Sequence, residues 1–174
     1  FDPAGLQLTE QIGYDAFDLL CEAEKNDDPE IAVQAGYLVR TIRVQWTSPA
    51  DPRAIQAILG DYESQADERR LVRIKQLAEL PNNQGLEWLC RVVRFEASPE
   101  LSKHAALAIM AQGQPAEKSV WDDRAAAIGR HMSRSRRAAA AWLLCYLQSH
   151  DDPAGALAAW NALTQGELAR LETH

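Results

Sequence analysis

Leu86-Glu87-Trp88-Leu89-Cys90-Arg91-Val92-Val93-Arg94-Phe95-Glu96-Ala97-Ser98-Pro99-Glu100-Leu101-Ser102-Lys103-His104-Ala105-Ala106-Leu107-Ala108-Ile109 reads as two amphipathic helices divided by a helix-start signal. Leu86, Leu89, Cys90 and Val93 form one apolar stripe and Leu101, Ala105, Ala108 and Ile109 a second, each recurring at helical spacing. Between them stands Ser98-Pro99. A serine oxygen can accept from the free amides of a first turn, and a proline at the first helical position has its φ preset and no N–H to waste.

The same punctuation recurs outward from this stretch. Six of the eight prolines follow Asp or Ser, and Asp28-Pro29, Asp51-Pro52 and Asp152-Pro153 also open amphipathic runs. Leu20-Cys21 precedes Asp28-Pro29-Glu30-Ile31 just as Leu89-Cys90 precedes Ser98-Pro99-Glu100-Leu101, and Leu144-Cys145 precedes Asp152-Pro153-Ala154. Self-similarity of this kind implies stacked units that bury a face against their neighbours. In the first copy the expected stripes are Ile12, Ala16, Leu19 and Ala23, then Ile31, Ala35, Leu38 and Ile42. A middle hairpin carries Ile55, Ile58, Leu59 and Tyr62, then Leu71, Ile74, Leu77 and Ala78, and ends at Pro81-Asn82-Asn83. Residues 115–131 read as a helix outside the pattern, and the third copy degrades where Gly155 replaces Ile31 and Leu101. Strand-length alternation is missing, so a β alternative is set aside.

Asn26-Asp27-Asp28-Pro29-Glu30-Ile31 through Leu38, and Ala97-Ser98-Pro99-Glu100-Leu101 through Ile109, resemble the turn and second helix of HEAT-like repeats. Ala156-Leu157-Ala158-Ala159-Trp160-Asn161-Ala162-Leu163 is as similar to a tetratricopeptide helix. Either resemblance implies an all-α, right-handed α-solenoid of antiparallel helix hairpins with about nine or ten helices. The expected organisation is one helical-repeat domain over residues 1–174. Because Phe1 and not Met stands first, the chain is expected to be cut from a longer one.

At 174 residues and 47% hydrophobic, the chain has enough apolar surface for a continuous core. No apolar run approaches the roughly 20 residues that cross a bilayer, so a soluble domain without membrane insertion is expected; the compartment stays open, with the cytoplasm favoured. The net charge of −7 is uneven: residues 1–62 hold eleven acids against four bases, and the remainder holds fourteen of each. An acidic field of that kind repels nucleic acid and suits a protein or peptide partner with a basic face, or another part of the same longer chain. Cys21, Cys90 and Cys145 are too far apart for a disulfide framework or a zinc site, and each is read as a small buried hydrophobe inside a helix.

The densest chemistry is Gly129-Arg130-His131-Met132-Ser133-Arg134-Ser135-Arg136-Arg137. Arg130, Arg134, Arg136 and Arg137 with His131 at an interhelix turn can grip carboxylates or phosphates through paired N–H bonds. The plain alternative has Arg130 and His131 complementing a helix C-terminus while Ser133 or Ser135 caps the next helix. Arg69-Arg70-Leu71-Val72-Arg73-Ile74-Lys75 reads as the solvated side of an amphipathic helix. Among five tryptophans, Trp88, Trp142 and Trp160 are placed in the core, while Trp46 and Trp121 are expected to be partly exposed and so to join the arginines as binding candidates. Glu100 with His104, and Asp122, Asp123 with His131, lack a second histidine at ligand spacing; no metal, cofactor or catalytic set is implied.

The function that follows is a non-catalytic scaffold binding another protein. Two alternatives remain: a nucleic-acid-binding array, since some DNA glycosylases resemble HEAT-like repeats, and a helical accessory segment of a larger enzyme.

Overall fold

A computed structural model describes residues 11–148 apart from 114, 116 and 136, together with Asp152, Ala154, Gly155, Ala158 and Ala162. The described chain is mostly helical and divides into two compact units, Phe1–Ser64 and Gln65–His174. Among the described residues no helix is long and apolar enough to cross a membrane.

In the first unit a two-residue strand β1 (Gln11–Ile12) runs parallel to β2 (Arg43–Val44), with Ile12 opposite Val44. This departs from the helix-only expectation and explains why α1 (Tyr14–Ala23) starts after Ile12: Gly13 is extended at φ −62 and ψ 162, and Ile12 hands its carbonyl to Gln45 N–H. The period of the expected stripe holds but its phase does not. Phe17 points inward, whereas Leu19 is 66% exposed, because the larger aromatic face of Tyr14 and Phe17 outweighs the smaller aliphatic one.

Helix α2 (Pro29–Thr41) pairs with α1 and is capped as its sequence predicts, Glu30 N–H donating to Asp28 Oδ1 at 2.9 Å. Its inward residues are Ala35, Gly36 and Val39; Ile31 faces outward. Helix α3 (Arg53–Leu59) buries Ile55, Ile58 and Leu59 together with Tyr62 in the following 3-10 turn. Here the start signal is displaced by one residue. Pro52 is the cap, and Asp51 instead turns back to accept from Ser48 N–H at 2.7 Å.

The second unit contains α4 (Asp67–Glu79), α5 (Leu86–Phe95), α6 (Pro99–Ala111), α7 (Lys118–Met132) and α8 (Ala138–Gln148). Between α4 and α5 the chain reverses through Asn82 and Asn83, both left-handed at φ 55 and 54, a region that asparagine tolerates better than other side-chain-bearing residues. Gly85 closes that reversal, where an added Cβ would lie 2.1 Å from the Leu77 carbonyl oxygen. Helix α5 contributes Leu89, Cys90, Val92 and Val93 to the core, each 0–1% exposed. Ser98 Oγ caps α6 through Leu101 N–H at 3.3 Å, and Ser102 Oγ donates to the Val93 carbonyl at 2.6 Å, pinning α6 to α5.

Helix α6 lies among α4, α5 and α8, while α7 packs on α5 and α8. The helix expected over residues 115–131 is thus present and is knit into the unit. The last expected helix, opened by Asp152-Pro153 and containing Trp160, lies largely outside the described residues.

Candidate functional site

Trp46 and Trp121, expected at the surface, are only 4% and 6% exposed. Trp46 is the hub of the first unit. Its Nε1–H donates to Glu63 Oε2 at 2.7 Å, its carbonyl accepts from Tyr14 Oη at 2.7 Å, and the Tyr62 ring meets it edge-on at 4.9 Å. Trp121 meets the Tyr146 ring edge-on at 6.2 Å, which joins α7 to α8. Partners 17 and 32 residues away in sequence hold Trp46 inward, through its indole N–H and its main-chain carbonyl, and its neighbours along the chain do not record them.

The arginine cluster separates in the fold. Arg137 is 1% exposed, and its Nη1 donates to the carbonyls of Arg94 and Glu96 at the end of α5. It serves as a remote cap there, because terminal carbonyls attract a cation, and the expectation of a surface site fails for it. Ser135 Oγ accepts from Arg137 N–H at 3.2 Å, which closes the turn before α8 and leaves the first-turn amides of that helix to other partners, so the cap expected of Ser133 or Ser135 is not what these serines form. Arg134 is exposed, and Arg136 lies outside the described residues.

Arg130 and His131 line a cavity. A cleft of about 490 Å³ has one wall from the α4–α5 turn and the first half of α5: Asn83, Gln84, Leu86, Glu87, Trp88 and Cys90. The facing wall is Ala127, Arg130 and His131, one stripe of α7. The sequence reading missed the α5 wall. Its one signal is a turn rich in side-chain amides, Asn82-Asn83-Gln84, running straight into Leu86-Glu87-Trp88.

Charge in the cleft favours an anion. Glu87, the one carboxylate lining it, is held at 2.6 Å by Arg91, whose guanidinium also lies 5.6 Å from the Trp88 ring centroid. Burial pushes the His131 pKa below its ordinary 6.5; the nearby Arg94, Arg91 and Arg130 lower it further against the opposing pull of Glu87, so the imidazole is neutral at pH 7. Trp88 is 9% exposed and its Nε1–H has no acceptor among the described residues. An unmet donor of that kind costs a fold about 1–3 kcal/mol.

Cys90 faces the same cleft, but burial raises its pKa from 9.0 to about 12, so it is a thiol and a poor nucleophile. Cys21 is half-buried and Cys145 exposed, which corrects the expectation that all three pack inside. On the native protein, iodoacetamide should label Cys145 first and Cys90 only once denaturant is added; peptide mass spectrometry reads the order, and early labelling of Cys90 would contradict its assigned burial.

Elsewhere, Glu100 Oε1 and His104 Nε2 lie 3.3 Å apart, one turn from each other on α6. The described residues contain no group of three or more His, Cys, Asp or Glu side chains able to hold a metal. Compared with known protein families, with curated proteins and with solved structures, the chain matches none.

Proposed function

We propose that this chain is a helical-repeat scaffold that acts by binding another protein. The observation that carries the reading is the order of packing in the second unit. Helices α5 and α6 pair, α7 and α8 pair, α7 packs on α5, and α8 packs on α6, with α4 also against α6. That succession is how antiparallel hairpins stack in an α-solenoid, with first helices in one layer and second helices in another. On this reading α7 takes the place of a first helix, and the cleft at Arg130 lies between the first helices of successive hairpins.

The test is a pull-down from a nuclease-treated native extract, using the whole chain beside Arg130→Glu. Arg130 is exposed, so reversing its charge should leave folding intact. One protein retained in stoichiometric amount by the parent and lost by the variant is the expected result. If instead the chain binds heparin tightly and releases it steeply with salt, it is a nucleic-acid binder and the scaffold reading is wrong.

A further inference from the structure

Resting on the scaffold reading, we propose that the cleft between α5 and α7 receives an extended acidic peptide segment. An Asp or Glu carboxylate of the segment pairs with Arg130. The main-chain carbonyl beside it takes the Trp88 indole N–H after a small turn of the ring.

The chemistry of the two walls selects this occupant. In a chain of net charge −7, the cleft is a locally cationic spot, since its own carboxylate is already engaged by Arg91 and Arg130 remains on the opposite wall. A guanidinium at the rim of a partly dry cleft prefers a carboxylate, which accepts two of its N–H groups at once. The remaining polar groups match peptide amides: Asn83 and Gln84 each offer a donor and an acceptor, as does neutral His131. A volume of about 490 Å³ lies within the range of clefts that hold ligands, about 300–1,000 Å³. The Trp88 N–H is buried in the wall without an acceptor among the described residues, so a carbonyl that reaches it offsets the unmet donor.

The indole resonances of the whole chain provide the measurement. Trp88 is assigned by its disappearance in Trp88→Phe, and the probe is acetyl-Ala-Glu-Ala-amide, with the glutamine and lysine analogues, acetate and inorganic phosphate as separate arms. The expected result is a saturable shift of the Trp88 indole alone, in the millimolar range that so small a ligand reaches. It should weaken about fivefold with the glutamine peptide or in Arg130→Gln, the effect of one partly exposed ion pair.

A Trp88 signal that does not move, or moves equally with the lysine peptide, overturns the proposal. So does acetate or phosphate reproducing the full shift at the same affinity, which would make the cleft a free-anion site. A shift that grows with protein concentration and no probe would assign the cleft to a second copy of the chain instead. The outcomes separate from those of the pull-down. A still Trp88 beside an Arg130-dependent partner removes the peptide assignment and leaves the scaffold, while a moving Trp88 beside an empty bait removes the scaffold and leaves a peptide-binding cleft.

Discussion

Replacing Glu96 by alanine is expected to destabilise the protein by about 3–5 kcal/mol, as breaking a buried ion pair from one side does. Glu96 is 0% exposed, its Oε1 lies 2.9 Å from Arg70 Nη1, and the same oxygen accepts from Ser98 N–H at 3.1 Å. One carboxylate therefore ties α4 to the turn that starts α6. Alanine leaves the Arg70 guanidinium without that counter-charge and the turn without an acceptor. Urea denaturation followed by circular dichroism measures the loss, and a change below about 1 kcal/mol would show the pair to be solvated. The companion variant fixes the cause. Replacing both Glu96 and Arg70 by leucine should restore part of the loss, because two apolar groups avoid the stranded charge, although Ser98 N–H stays unserved. A double variant as unstable as Glu96→Ala would place the whole effect in the turn.

Arg70 marks a limit of what the sequence reveals. Within Arg69-Arg70-Leu71-Val72-Arg73-Ile74-Lys75 it has the spacing of a solvated face, and Arg69 and Lys75 are indeed exposed. The buried Glu96, 26 residues later, draws it inward. Local signals were read well where the physics is local: Asp28 and Ser98 cap the helices they precede, and Ile55, Ile58, Leu59 and Tyr62 all face inward. Phase was lost in α1, where period alone does not say which of two adjacent faces has more area to hide. Long side chains were lost most often. An arginine can lie at a surface position of its own helix and still carry its charge to the end of another, which no pattern within its helix records. The candidate cleft follows the same rule. Arg130 and His131 were legible as a cluster, but the wall opposite comes from residues 83–90, and the meeting of α5 with α7 is a property of packing.

Arg124 and Arg137 share one architectural role. Each comes from α7 or the residue before α8 and closes the C-terminus of an earlier helix, Arg137 at α5 and Arg124 at α6. Arg124 is 7% exposed; its Nη1 donates to the Gly113 carbonyl at 2.9 Å, and its Nη2 to the Ile109 carbonyl and Gln112 Oε1, both at 2.8 Å. Three acceptors at the end of α6 are thus served by one planar fork. Arg124→Met should cost about 3 kcal/mol, because it removes charge-assisted bonds and leaves two main-chain carbonyls short of donors, one of them buried. Arg124→Lys separates charge from shape. An ammonium supplies the charge on a shorter, non-planar head and does not span the acceptors as the guanidinium does, so it should recover only part of the loss. Amide hydrogen exchange adds a local readout: protection at the end of α6 and in α7 should fall in both variants before that of α4 does. Full recovery by lysine would mean that a positive charge near the helix terminus suffices, and the fork geometry would then have no energetic role in joining α7 to the end of α6.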